Sequence, residues 1–395
     1  MYNKKTLKSE ILVALVTTFF LIFIPPLHAE TLKIGAIAPL SGAGAPWGKA
    51  LTQGVQLAVD DINNAGGLKI NNITYNLKFI EYDDEYKGAV GVQVATRLIS
   101  TDKVKIIFGS ISSASVLAFT PITEKNKILV LGNSYSSKAV SPDKQYFFRM
   151  LQTSTEGAKI LIPYVLKQHP EIKRVALLGP NDESGRDLSA TDIIEYKKAG
   201  VEVVYNEFYD RSQQDFNPQL SKLLQSKPDL IDVSASSPGT TGLIAKQSRE
   251  LGYKGIFITT AGFFLKPTVE VAGKAVNGFY HAGQADLESD SNKMKEFNKK
   301  FTDKYGKQCD MWSAPLWYSS AIMLFNLMEK ENTTDPTNLK NALEKIGYWE
   351  GMMGKMRFGG KEDYGIDHQI LGPLLIYKVE NETEKIVDII DIAQR

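Results

Sequence analysis

Strand and helix signals alternate along this chain from residue 32 to residue 260, and that alternation restricts the fold more than any single motif. Residues 32–38 (Leu-Lys-Ile-Gly-Ala-Ile-Ala) read as a buried strand. Leu51, Val55, Ala58, Val59 and Ile62 then recur at the spacing of one helical face, and Gly66-Gly67 supplies the stop. Residues 77–82 predict a second strand, and Val90, Val94 and Leu98 a second helix. Residues 104–108 and 128–131 predict two more strands, with a helix between them from about Ser113. After Arg149 the pattern restarts: helices over 160–166, 185–199, 220–224 and 243–251 alternate with strands over 175–178, 201–204, 230–233 and 256–260. Alternation of this kind implies parallel sheets covered by helices on both faces, hence an α/β chain of two doubly wound units. Residues 294–305 and 312–331 read as further amphipathic helices, and Asp335-Pro336 opens another with Pro in its first turn. Residues 369–379 and 386–392 read as a strand pair turning near Glu380-Asn381.

The first 29 residues read differently. Lys4, Lys5 and Lys8 precede an uncharged apolar run over 11–24, then Pro25-Pro26 and Leu27-His28-Ala29. This is the layout of a cleaved secretory signal peptide. The run is shorter than the ~20 residues that a spanning helix needs. Cleavage near Ala29 removes three Lys and Glu10 and moves the net charge from +1 to −1. A balance so near neutral argues against nucleic-acid binding. The single cysteine, Cys309, excludes an internal disulfide framework and a multi-cysteine metal site. With no cysteine at the cleavage position a lipid anchor is not expected. An exported chain without disulfides suggests a bacterial periplasm.

Catalytic patterns are scarce. There is no Gly-x-Ser-x-Gly, no His-Glu-x-x-His and no phosphate-binding Gly-x-x-x-x-Gly-Lys-Ser/Thr. His169, His281 and His368 stand far apart, without partners at metal-ligand spacing. Gly42, Gly44 and Gly48 after the first strand, with Asp83 and Asp84 after the second, superficially suit a dinucleotide. The spacing is Gly-x-Gly-x-x-x-Gly, however, and Pro46 and Trp47 fill the turn where a pyrophosphate needs bare backbone. No cofactor, no metal and no catalysis are expected.

Several stretches then resemble a known family. Residues 32–42, Gly54-Val55-Gln56-Leu57-Ala58-Val59, Asp60-Asp61-Ile62-Asn63-Asn64-Ala65-Gly66-Gly67, Phe108-Gly109-Ser110-Ile111-Ser112-Ser113, and the stretch from Ala272-Gly273 to Asn277-Gly278 resemble the leucine/isoleucine/valine-binding proteins. These are type I periplasmic solute-binding proteins of ABC importers. The resemblance covers nearly the whole chain after the export signal. It implies two α/β lobes joined by a three-segment hinge that closes on a small-molecule ligand, a monomer, and an ABC permease in the inner membrane as partner. The lobes are expected at 30–151 with 282–371 and at 152–281 with 372–395, with crossings near 151–155, 281–284 and 371–373. A ligand sensor on the same fold, binding an amide or an amino acid, and a secreted enzyme are the alternatives.

Open α/β sheets bind ligands beyond the C-terminal ends of their strands, where helix N-termini offer free N–H groups to an anion. Ser112 and Ser113 lie at such a junction, as do Ser134 and Ser136, and each suits either a carboxylate ligand or ordinary helix capping. The resemblance places Trp47 over the ligand, a packed surface aromatic being the other reading. In the second lobe it points to Ser184, Ser237 and Ala261. There the chain departs from the family, which usually has Tyr at the first two positions and an acid at the third. The acid neutralises an amino-acid ammonium, and burying that charge without a partner costs several kcal/mol. Asp182, Glu183 or Asp210 could substitute, but none stands at the matching position. The expected ligand is a small amphipathic carboxylate, an amino acid or an aromatic or aliphatic acid. Ala261, Trp47, Phe263 and Phe264 favour an apolar or aromatic body.

Overall fold

The structure is a computed structural model that describes residues 29–394. The expected export signal lies outside the described residues except for Ala29. The first series of elements is β1 (Glu30–Ala38), α1 (Ala45–Asn64), β2 (Leu68–Ile70), β3 (Ile73–Asp83), α2 (Gly88–Ser100), β4 (Ile106–Gly109), α3 (Ser113–Lys125), β5 (Leu129–Gly132) and β6 (Phe147–Arg149). The second is α4 (Ser154–Gln168), β7 (Arg174–Pro180), α5 (Glu183–Lys198), β8 (Glu202–Tyr209), α6 (Asn217–Gln225), β9 (Leu230–Asp232), α7 (Pro238–Glu250), β10 (Ile256–Thr259), α8 (Leu265–Ala272) and β11 (Phe279–Gly283). The remainder is α9 (Asn292–Tyr305), α10 (Ser313–Lys330), α11 (Pro336–Leu343), β12 (Trp349–Glu350), β13 (Lys355–Gly359), α12 (Lys361–Tyr364), β14 (Gln369–Leu371), β15 (Pro373–Glu380) and β16 (Thr383–Asp391).

Two sheets result. One has the order β12-β13-β14-β6-β5-β4-β1-β3-β2, the other β16-β15-β11-β10-β9-β7-β8. Their centres are parallel, as the alternation implies. Their edges are not: β2 on β3, β12 on β13, β13 on β14, β15 on β11 and β16 on β15 all pair antiparallel. Along β1, Ile34, Ala36 and Ala38 enter the core beneath α1 and α10, whereas Ile37 enters the opposite one with Leu98, Val116 and Phe119. That two-residue alternation, apolar on both sides, marks a sheet covered on both faces. Each large side chain so buried contributes about 1.5–3 kcal/mol. Gly54 lets α1 lie against α10, because a Cβ there would stand 2.4 Å from the Ala314 carbonyl oxygen.

The chain passes between the sheets after Arg149, after Gly283 and at Gly372. Residues 369–379, expected as one strand, are therefore divided: β14 joins the first sheet and β15 the second. Gln152 ties the three passages together. Its N–H donates to Gln284 Oε1 (2.8 Å), its carbonyl accepts from Gln284 Nε2 (3.1 Å), and its own amide donates to the Gly372 carbonyl (3.2 Å).

Candidate functional site

The C-terminal ends of the central strands of both sheets face one cleft. On the first sheet, β1 runs into a tight turn and then α1. Gly48 permits that packing, since a Cβ would fall 1.8 Å from the Pro39 carbonyl oxygen, and the Leu40 N–H donates to Asp83 Oδ1 at 2.8 Å. Trp47 thus sits in the first turn of α1 rather than in a loop, buried at 6% exposure. Its ring faces Tyr86 at 6.1 Å, and its indole N–H has no hydrogen-bond partner among the described residues. Tyr86 follows Glu85 in a left-handed pair, φ 60° and 51°. Such a pair of non-glycine residues is strained. The Asp83 and Asp84 carboxylates hold it, accepting from the N–H of Glu85 (2.8 Å) and of Tyr86 (2.9 Å). Burial pushes the Tyr86 phenol above its ordinary pKa.

Four expected serines meet. Ser113 Oγ lies 3.1 Å from Ser134 Oγ, 2.9 Å from Ser184 Oγ and 3.1 Å from the Ser136 N–H. Ser184 belongs to α5, so this cluster joins the two sides of the cleft. Tyr86 extends it, with its hydroxyl 3.3 Å from Ser184 Oγ. Ser136 also donates to Asp187 Oδ2 at 2.6 Å. Ser112 and Ser237 cap their helices, accepting from the N–H of Ser115 and of Thr240, each at 3.4 Å. Ala261 packs with Leu188, Ala235 and Tyr135.

The three acids considered as ammonium partners are already engaged. Asp182 pairs with Arg211, Glu183 with Lys138 at 2.7 Å, and exposed Asp210 accepts from the Ser212 N–H at 2.8 Å. Arg211 was not legible as a site residue. Its guanidinium lies 4.6 Å from the centre of the Tyr86 ring and 5.8 Å from that of Trp47, and it donates to the Ala235 carbonyl at 3.2 Å. Burial weighs against its charge, but Tyr86 and Asp182 outweigh that and raise its pKa.

Beyond the serines lies an apolar chamber of about 20 Å³, walled by Trp47, Ile111, Tyr135, Leu151, Phe264 and Trp312, with Asn133 and Ser313 as its polar members. Asn133 Oδ1 has no hydrogen-bond partner among the described residues. Trp312 rests on Phe264 at 5.4 Å, and its indole donates to the Phe263 carbonyl at 2.8 Å. Phe264 lines the chamber, but Phe263 does not: it stacks on Phe279 in the second core. A water needs about 10–15 Å³ of such space. The chamber therefore has room for one water and none for a solute.

A profile of the periplasmic binding protein family matches residues 31–384. The chain belongs to that family. It is 25% identical over 339 residues to the Leu/Ile/Val-binding protein homolog 8 of Brucella abortus, with 81% of each chain covered. Among solved structures, this periplasmic binding protein shares its fold with LivJ, the branched-chain amino acid transporter substrate binding protein of Streptococcus pneumoniae, in complex with isoleucine. There the TM-score is 0.79 at 23% identity, over 91% of this chain and 99% of the other. It also shares it with an R. palustris ABC-transporter solute binding protein in complex with benzoate, at TM-score 0.78 and 17% identity, over 91% and 96%. Among the described residues no helix is long and apolar enough to cross a membrane, and no cluster of three or more His, Cys, Asp or Glu could hold a metal.

Proposed function

We propose that this periplasmic binding protein is the solute-binding subunit of an ABC importer of the branched-chain amino acid type, working in the periplasm as a monomer. It captures a small amphipathic carboxylate, an amino acid or an aromatic or aliphatic acid, and delivers it unchanged to an inner-membrane permease. Residues 30–151 with 282–371 form one lobe, and 152–281 with 372–395 the other. Trp47, Ser113, Ser134, Ser136 and Ser184 contact the ligand. Ser112 and Ser237 present the N-termini of α3 and α7, and Ala261 leaves apolar room. One observation carries the reading: hydroxyls from both sides meet at 2.9 Å over a chamber too small for any solute, so a ligand enters only if the lobes part.

The ion pairs that engage Asp182 and Glu183, and the exposed position of Asp210 in its own turn, support an acid with an apolar or aromatic body over a plain branched-chain amino acid. The test is native mass spectrometry of protein recovered from its host, followed by thermal shifts with leucine, isoleucine, valine, benzoate and hexanoate. A ligand at 100 times its dissociation constant stabilises by about 2.7 kcal/mol. Benzoate or hexanoate is expected to shift the transition. Micromolar binding of leucine, isoleucine or valine with no response to the acids overturns the preference for an acid. Chemical conversion of a bound compound overturns the carrier reading.

A further inference from the structure

Arg149 ends β6, the last strand before the chain first leaves the first sheet, and its side chain is fully buried. The polar partners of its guanidinium are none of the groups that wall the chamber. One nitrogen, Nη1, donates to the carbonyls of Ser134 (3.1 Å) and Ser136 (3.2 Å). Nε donates to Gln369 Oε1, on β14 just before the last passage. Nη2 faces Glu156 Oε1 at 4.0 Å, and the Tyr364 ring lies 4.5 Å beneath the guanidinium carbon. Glu156 belongs to α4, which packs on the second sheet. Its carboxylate also closes the capping box of that helix, accepting from the Thr153 N–H at 2.7 Å, and accepts from the Tyr364 hydroxyl at 2.7 Å. A buried guanidinium stripped of water depends on these partners, and the loss of one leaves an uncompensated charge.

We infer that Arg149 is a positioning residue that locks the turn carrying Ser134 and Ser136 to the hinge, so that the serine cluster has its binding shape only while Glu156 stands opposite Arg149. This rests on the ligand role proposed for those serines. The planar fork of Arg donates to two carbonyls and an amide oxygen while its free nitrogen, Nη2, faces the Glu156 carboxylate as an ion pair without a hydrogen bond, which a Lys point charge does not do. Parting the lobes carries α4, and Glu156 with it, away from β6. The serine turn then loosens as the cleft opens, although neither Arg149 nor Glu156 touches the ligand.

The test is hydrogen exchange on the ligand-free full chain, comparing wild type with Glu156→Gln, which keeps the shape and removes the charge. Amides 133–137 are expected to exchange at least tenfold faster, with those of α1 and α7 unchanged. Gln369→Leu breaks the other arm and is expected to act on the same amides, so the test survives if one variant fails to fold. Unchanged exchange at 133–137, or acceleration spread evenly over the molecule, overturns the proposal. Thermal shifts with benzoate and isoleucine run alongside. If neither probe stabilises the wild type, the ligand reading fails while exchange still decides the role of Arg149. If one does, Glu156→Gln is expected to weaken its binding about tenfold, and undiminished affinity also overturns the proposal.

Discussion

At one end of the cleft Ser134 and Ser184 both bond to Ser113, and at the other Trp47, Tyr135, Phe264 and Trp312 enclose a small apolar chamber. The serine end is self-satisfied when shut. A ligand there exchanges protein–protein hydrogen bonds for protein–ligand ones, and the net gain of each exchange is small. The aromatic end carries orphaned polar atoms in an apolar wall, Trp47 Nε1 and Asn133 Oδ1. Filling it removes apolar surface from water and offers a partner to groups that lack one. On the proposed ligand role, affinity comes from the aromatic end and orientation from the serine end.

The sharpest test of that division is Trp47→Ala. Truncating a buried tryptophan costs about 3–5 kcal/mol of stability through lost packing and the void left behind, and a central aromatic anchor contributes at least about 2 kcal/mol to binding. Urea unfolding reads the first and calorimetric titration with a ligand that stabilises the wild type reads the second. Affinity within twofold of wild type would erase the distinction between the two ends. A smaller effect is expected for Ser113→Ala. Ser113 Oγ accepts from the hydroxyls of Ser134 and Ser184 and from the Ser136 N–H. Its removal strands buried donors at a cost of about 1–3 kcal/mol. Because Ser134 and Ser136 remain bonded to each other at 3.1 Å, the loss belongs at the low end of that range. A loss as large as that for Trp47→Ala would reverse the comparison.

Behind the second-lobe wall of the cleft lie Asp192 and Asp232, both buried. Thr260 Oγ1 donates to Asp192 Oδ2 at 3.0 Å, and Tyr196 donates to Asp232 Oδ2 at 2.9 Å. Burial, and then the neighbouring Asp232, hold Asp192 well above the ordinary value of 3.8. The folded chain therefore keeps a proton that the unfolded chain releases above pH 3.8. Stability falls as pH rises from there through the raised folded value. Asp192→Asn removes that titration, so its melting temperature relative to wild type is expected to climb between pH 4 and pH 8. Melts across that range check it, and a flat or falling difference refutes the proton assignment.

Ser113, Ser134 and Ser136 could be grouped in advance because they follow β4 and β5, parallel strands that lie side by side; Ser184, after β7 of the other sheet, is marked only by the family resemblance. The aromatic chamber was legible only in Trp47 and Phe264: Tyr135 and Trp312 carry no such signal, and Trp312 arrives from the start of α10 after a long excursion through the second sheet. Tyr86, beside the serines, turns inward only because two consecutive residues adopt left-handed backbone. Arg211 was hidden for the same reason, its loop being aimed by Asp182 and the Ala235 carbonyl rather than by any local pattern. The division of 369–379 at Gly372 was equally invisible, since an apolar run says that it is buried and not in which sheet. Pattern reports burial and period; which loops converge is decided by packing between distant segments.

Ser237 gives the smallest effect and the finest control. It stands at a strand-to-helix junction as Ser113 does, yet its hydroxyl is spent on the start of α7, accepting from the Thr240 N–H and lying 2.8 Å from Thr240 Oγ1. Replacing a capping Ser by Ala costs about 1 kcal/mol of stability. Ser237→Ala is therefore expected to lower the urea midpoint slightly and leave ligand affinity within twofold, whereas Ser113→Ala changes both. A tenfold loss of affinity in Ser237→Ala would place this hydroxyl on the ligand and extend the polar end of the cleft across the mouth of the second sheet.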